Sequence, residues 1–151
     1  LMTNPYEMIR TQLSAMVPFA NEVGIVLGPI SDGAATATLE QRPQTSNHIQ
    51  SMHAGAMFTL GEAASGSALA GAIAPLLLQC TPVAKDARIS FVKIAKGTLT
   101  ATAKTSRPGA EILAELGEAG KVVFDVDVDI RDEDNETVAA MTVSWHVRKN
   151  G

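Results

Sequence analysis

The hydrophobic residues of this chain change their spacing several times, and each spacing predicts a different element. Residues 4–17 carry apolar side chains at helical intervals and begin with an Asn-Pro pair, which predicts a first helix. From residue 23 to residue 39 apolar and polar positions alternate, with turn residues at 28–29 and 32–33. This alternation predicts a β-hairpin.

A long apolar segment follows the hairpin and a polar loop at 41–53. Residues 54–74 consist almost entirely of small and apolar side chains and stop before Pro75, which predicts one buried helix. The smallest of them are expected to form the stripe on which a curved sheet approaches the helix closely. That stripe consists of Thr59, Ala63, Gly66, Ala70 and Ala74.

Alternating patterns return after this helix and predict four more strands. These are expected near residues 83–91, 98–104, 122–130 and 137–148, with a wide turn at 106–120 in which a helical piece is one alternative. The order of one helix, two strands, one long helix and four strands predicts an α+β fold in a single domain over residues 1–151. In this fold a curved antiparallel sheet wraps around the long central helix.

The composition argues against several classes of partner. The chain has 12 Lys and Arg against 16 Asp and Glu and no basic cluster, so neither nucleic acid nor a membrane surface is expected as a partner. The apolar segment contains Glu62 and Pro75 and lacks a basic flank, which argues against a transmembrane helix. The single cysteine, Cys80, has no partner for an internal disulfide, and a reducing cytoplasmic location is expected.

Glu62 is the one formal charge between Arg42 and Lys85. A carboxylate in an apolar segment is costly to ionise, and such groups are common at functional sites. Two interpretations remain open: a catalytic acid, or a structural acid that is bonded to backbone or paired with Lys85. Strand alternation predicts that Lys85 lies on an apolar face. There it would neutralise Glu62 or bind a substrate phosphate or carboxylate, unless its side chain extends from the strand end into solvent.

The start of the long helix suggests a second chemical group. The first N–H groups of a helix have no intrahelical acceptor and carry partial positive charge. Ala54 and Gly55 have small side chains that leave their N–H groups accessible, so these groups are suited to bind a developing oxyanion. Glu62 lies about 12 Å further along the helix axis, too far for one site around a single carbonyl. The two groups fit one site if they come from antiparallel helices of a homodimer.

One motif joins these residues: Asn47, then five residues, then His53-Ala54-Gly55, with Glu62 nine positions after the histidine. This motif resembles the signature of hotdog-fold thioesterases. The likeness is to the PaaI-like group related to 4-hydroxybenzoyl-CoA thioesterase, and within it to a little-characterised branch. The order of elements along most of the chain is also similar to that of the hotdog fold. Where the group usually has Gly, Ala54 keeps the N–H and adds a methyl group.

The resemblance implies an acyl-CoA thioesterase that requires no cofactor and no metal. It implies that Glu62 acts as general base or as nucleophile and that Asn47 positions the water or the carboxylate. The N–H groups of Ala54 and Gly55 would bind the oxyanion. Three further residues are expected to contact the substrate: His53, Ser65 and Lys85.

The implied partner is acyl-CoA or another acyl thioester, bound by a homodimer or by a dimer of dimers. A different function stays open, that of a non-catalytic acyl-CoA binding module, which would bind without turnover. Hotdog dehydratases and hydratases usually carry another His-containing loop with Pro and Gly, which this sequence lacks. His48, His53 and Glu62 do not have the spacing of a metal site.

Overall fold

The computed structural model describes residues 4–151, which form one six-stranded sheet and four α-helices. The helices are α1 (Pro5–Met16), α2 (Pro18–Val23), α3 (Ala54–Ala72) and α4 (Gly109–Ala119). The strands are β1 (Val26–Ser31), β2 (Ala34–Leu39), β3 (Cys80–Phe91), β4 (Leu99–Thr105), β5 (Lys121–Arg131) and β6 (Thr137–Lys149). Short 3-10 turns lie at Pro43–Thr45 and Ala74–Gln79.

All six strands pair antiparallel in the order β1-β2-β4-β5-β6-β3, so β1 and β3 are the edges of the sheet. Helix α3 packs against this sheet and contacts five of its strands, β1, β2, β4, β5 and β6. Leu60, Ala64 and Ala68 of α3 have no exposed surface. The predicted α+β arrangement, a curved antiparallel sheet around one central helix, is confirmed. No helix within residues 4–151 has both the length and the apolar character needed to cross a membrane.

The sheet approaches α3 at glycines that the sequence did not single out. A Cβ added at Gly61 would lie 2.5 Å from the sulfur of Met141 in β6. A Cβ at Gly71 would overlap the carbonyl oxygen of Ser31 in β1. The predicted stripe is wrong for Thr59, Ala63 and Gly66, which are half-buried on another side of the helix. Close approach therefore depends on the face of the helix and not on residue size alone.

The N-terminal region differs most from the sequence-based prediction. The first helix is confirmed, and Asn4 caps it by accepting the N–H of Tyr6 at 2.9 Å. The predicted hairpin is present, but its first strand begins at Val26 and not at residue 23, because residues 18–23 form α2. Pro18 occupies the first position of that helix, and Gly24 ends it at a φ of 100°. Pro18 and Gly24 are residues that favour the start and the end of a helix. The six residues of α2 themselves show no clear helical periodicity.

The two predicted turn regions have different outcomes. Residues 28–29 lie inside β1, where the register with β2 is irregular, and only residues 32–33 form the hairpin turn. The helical piece considered for the wide turn at 106–120 is present as α4, whose Ile112 and Leu116 are completely buried. By contrast, the alternation of β4, β5 and β6 is confirmed residue by residue, since each has one buried face.

Candidate functional site

Glu62 lies in the middle of α3 and lines a pocket of about 320 Å³. The side chain is half-buried, and burial raises the pKa of its carboxyl group. Within residues 4–151 its carboxylate has neither a hydrogen-bond donor nor a cation close enough to pair with it. The acid is therefore not held by the structural partners that were the alternative interpretation, and it faces an open pocket.

The start of α3 is fixed by His53, whose ring caps the helix. Its Nδ1 accepts the N–H of Gly55 at 2.8 Å. This bond occupies the Gly55 N–H, which corrects the expectation that Gly55 shares the oxyanion-binding role. The Ala54 N–H, in contrast, has no acceptor among the described residues. The helix start thus offers the Ala54 N–H as its free donor, with the partial positive charge of the helix end behind it.

Asn47 holds the loop that leads into α3. Its Oδ1 accepts the N–H groups of Ile49 and Ser51, both at 3.0 Å, and its Nδ2 donates to the Ser51 hydroxyl at 2.8 Å. The side chain therefore closes a tight turn within its own loop. Its predicted role of positioning water or the carboxylate stays a prediction, and within one chain the amide contacts its own loop rather than Glu62.

The structure brings Asn47 and Ala54 together but leaves Glu62 apart. Asn47 and Ala54 line a pocket of about 390 Å³ that also contains Phe91 at the end of β3. Glu62 lines a different pocket, whose wall includes Pro82 near the start of β3. Because eight residues of helix separate Ala54 from Glu62, the distance along the axis is about 12 Å. The chain thus presents the two groups in separate pockets at opposite ends of one edge strand.

Ser65 has a structural role. Its hydroxyl accepts the indole N–H of Trp145 at 3.1 Å and donates to the carbonyl oxygen of Glu62 at 2.7 Å. The side chain has no exposed surface. Within one chain Ser65 therefore joins α3 to β6, and its predicted substrate contact stays a prediction. Its neighbours Gly66 and Ser67 line the Glu62 pocket instead.

Lys85 lies on the outer face of the sheet, so the predicted inward orientation is wrong. Ala84 pairs with Trp145 and Asp86 pairs with Ser144, which leaves Lys85 as an extra, unpaired residue in β3. Such a bulge shifts the alternation by one position. Lys85 is exposed and borders a pocket with His146 and Arg148. It therefore does not neutralise Glu62 in this chain, and its substrate contact stays a prediction.

The acidic residues of β5 have local partners across the strand pair. Asp127 accepts the hydroxyl of Thr142 at 2.9 Å, Asp129 accepts that of Thr137 at 2.8 Å, and Asp125 is bonded to Ser144. Each carboxylate is thus paired with a hydroxyl of β6 on the outer face. This arrangement is that of a solvated acidic face with hydroxyl partners.

The sequence did not reveal that the N-terminal helices form part of the Glu62 pocket. Leu13 and Met16 of α1 and Ala20 of α2 line it together with Ile25 and Leu27. Pro18 and Gly24, which begin and end α2, were the sequence features that could have indicated this second helix. The contact between these N-terminal helices and α3 joins distant parts of the sequence, so local hydrophobic periodicity does not predict it.

Residues 6–147 match the family described as a domain of unknown function, DUF4442. No curated protein sequence matches the chain. Several solved structures are similar to it. A Pseudomonas aeruginosa protein described as of unknown function and a probable thioesterase is 25% identical, covers 99% of both chains and has a TM-score of 0.82.

Two further structures are similar at lower identity. The PaaI protein of E. coli, from the phenylacetic acid degradation operon, is 24% identical over 97% of this chain and 95% of its own, with a TM-score of 0.76. A thioesterase family protein from Silicibacter pomeroyi is 15% identical over 96% of this chain and 99% of its own, with a TM-score of 0.78. Two of these neighbours are described as a probable thioesterase and as a thioesterase family protein, and the predicted hotdog fold is confirmed. The chain therefore belongs to the DUF4442 family and has the hotdog fold.

Proposed function

We propose that this protein is an acyl-CoA thioesterase that works as a homodimer. Each site would combine Glu62 of one subunit with the Ala54 N–H of the other. Support comes from the names of the structural neighbours, which include thioesterases, and from two chemical groups that lack partners within residues 4–151. One is a half-buried acid and the other is a helix N–H, the pair that hydrolysis of a thioester carbonyl requires.

The observation that carries this proposal is the placement of both groups along β3. Glu62 lies beside Pro82, near the start of this strand, and Ala54 lies beside Phe91, at its end. If β3 pairs antiparallel with the β3 of a second copy, the start of one strand meets the end of the other. Glu62 of each subunit is then brought next to the partner's Ala54.

The character of β3 supports such pairing. It is a 12-residue edge strand, and Val83, Phe91 and the following Val92 are 54%, 48% and 62% exposed. A long edge with exposed apolar residues is an unprotected template for another strand. The other edge, β1, is six residues long and therefore offers fewer unpaired backbone groups to a second strand. The difference favours β3 as the surface for a second copy.

In the proposed reaction, Glu62 takes a proton from water while the water oxygen attacks the thioester carbonyl. In the other route the carboxylate attacks directly, and water hydrolyses the resulting anhydride after the thiolate has left. The Ala54 N–H and the positive end of its helix stabilise the resulting oxyanion. The thiolate then leaves and is protonated. Loss of one such N–H donor typically costs about 3 kcal/mol of transition-state stabilisation. His53 and Asn47 contribute by fixing the helix start and its loop.

The test is hydrolysis of a panel of acyl-CoA thioesters, followed by the release of free thiol. Glu62→Gln is expected to lower kcat by at least about a hundredfold, because Gln is neutral and does not accept the proton. Glu118→Gln, at an exposed position of α4, is the matched control and should keep the wild-type rate. The proposal fails if the panel shows no turnover or if Glu62→Gln retains the full rate. Tight acyl-CoA binding without turnover would favour the non-catalytic binding module.

A further inference from the structure

The Glu62 pocket is closed on one side by the corner between α1 and α2. Its volume of about 320 Å³ lies within the range of small-molecule sites. Most of its wall is apolar, and the residues that matter here are Leu13, Met16, Val17, Ile25, Leu27 and Trp145. The pocket thus joins a reactive carboxylate to an apolar chamber, rather than exposing the acid on an open surface.

The charge distribution of this chamber is one-sided. Glu62 is the one charged residue in its wall, and the other polar groups are the side chains of Ser14, Asn21 and Ser67. Both hydroxyls already donate to helix carbonyls, that of Ser14 to Arg10 at 2.7 Å and that of Ser67 to Ala63 at 3.1 Å. A ligand that carries an anion into the chamber would therefore meet a carboxylate and no cation, at a high desolvation cost.

We propose that this chamber binds the acyl group of the substrate, accepts uncharged apolar chains and rejects acyl groups that carry a second carboxylate. The inference rests on the proposed function, because it names the substrate class of that site. It also assigns selectivity to the α1–α2 corner, whose Met16 and Leu13 form the wall opposite α3.

The corner between α1 and α2 is anchored at both ends, so the depth of the chamber is fixed. Asn21 of α2 donates its side-chain N–H to the carbonyl of Ser14 in α1 at 3.0 Å. At the other end of α2, the Arg42 guanidinium donates to the carbonyls of Glu22 and Val23, both at 2.8 Å. These bonds hold the wall in place against α3. Acyl chains are therefore expected to gain affinity with length until the chamber is full and then to gain no more.

Binding is measured by calorimetry with S-alkyl thioethers of coenzyme A, which are not hydrolysed. From S-butyl to S-octyl, affinity should rise by about fourfold for each methylene that is buried. Replacing the terminal methyl of the S-octyl chain with a carboxylate should weaken binding on the order of a hundredfold. The methyl ester of the same chain should restore most of the affinity. Glu62→Gln should remove much of the discrimination and keep the affinity for the S-octyl compound.

Filling the chamber gives a second, independent measurement. Ala63→Leu adds a side chain to the chamber wall and should weaken S-octyl binding at least about tenfold while sparing S-butyl. Ala114→Leu, the same change at an exposed position of α4, should alter neither. Equal affinity for the carboxylate and the methyl ester, or S-octyl binding unaffected by Ala63→Leu, would overturn the inference. If these binding results hold but no thioester is hydrolysed, the proposed function fails while the chamber's selectivity stands.

Discussion

The two sides of helix α3 are built from similar small residues and do different things. On the sheet side, Gly61 and Gly71 let the strands approach until no side chain fits, and Leu60, Ala64 and Ala68 are fully buried. On the pocket side, Glu62, Ala63 and Gly66 are half-buried and line a chamber. The same residue types therefore produce close packing on one side and open volume on the other.

The difference shows what leaves the Glu62 carboxylate without a partner in this fold. The tightly packed side has no room for a charge, and the chamber side leaves Glu62 without a partner within residues 4–151. Its raised pKa comes from burial, as expected of an acid in an apolar wall. The closely packed side thus holds the helix in place, and the open side carries the chemistry that we propose.

The largest stability effect is expected from a methyl group on the packed side. Gly71→Ala would place a Cβ against the Ser31 carbonyl and 2.9 Å from Cγ2 of Ile30, so the backbone must shift at a cost of about 3 kcal/mol. Gly66→Ala meets Trp145 at 3.5 Å, an ordinary contact, and should stabilise by about 0.5–1 kcal/mol through helix propensity. Urea denaturation measures both. Equal effects at the two glycines would remove the distinction between the two sides.

A smaller loss is expected where α3 is joined to β6. Ser65→Ala leaves the buried indole N–H of Trp145 without an acceptor and should cost about 1–3 kcal/mol in free energy of unfolding. Ser67→Ala is the matched control, since its hydroxyl bonds only within its own helix, and should change stability by less than about 0.5 kcal/mol. Similar values for the two variants would show that the bond to Trp145 does not stabilise this junction.

The smallest effect is a pH dependence of stability. Because the folded chain keeps the Glu62 proton to higher pH than the unfolded chain does, the native state binds more protons in that interval. Stability is then greatest below the unfolded-state pKa and falls as pH rises through the folded-state pKa. Glu62→Gln should remove this decline, which urea denaturation at a series of pH values detects. A parallel pH dependence in wild type and variant would mean that burial does not perturb Glu62.

The sequence predicted those parts of the fold that depend on local periodicity. Strand β5 alternates without interruption from Val122 to Ile130, and its buried face is the predicted one. Strand β3 has the same kind of pattern, but the bulge at Lys85 leaves Val83 and Lys85 on the outer face, whereas Ala87 and Ile89 pack against the core. A bulge depends on pairing with β6, which local pattern does not encode, so the orientation of Lys85 was predicted wrongly.

The sequence was sufficient to propose the residues of the candidate site but not to predict their contacts. Spacing located Glu62 and Ala54 and indicated that one helix separates them. It gave no indication that His53 uses the Gly55 N–H or that Ser65 is bonded to Trp145. Both hydrogen bonds depend on which residues lie close together in the folded chain. The chamber under α1 and α2 was missed for the same reason, since its walls come from distant parts of the chain.

The central claim is that each site takes Glu62 and the Ala54 N–H from different subunits. Glu62→Gln removes the acid, and Ala54→Pro removes the N–H at the first helical position, where proline is well tolerated. His53 already has the extended conformation that precedes proline, with φ −65° and ψ 139°. Each variant alone should be nearly inactive.

The decisive measurement is the thioesterase rate of mixed dimers, purified through two different affinity tags. A dimer of one Glu62→Gln subunit and one Ala54→Pro subunit contains one intact shared site and should show about half of the wild-type rate. A dimer of one wild-type subunit and one subunit with both substitutions should be inactive, since neither shared site is complete. The reverse pattern, with the first dimer inactive and the second at half rate, would contradict the account and place each site within a single chain.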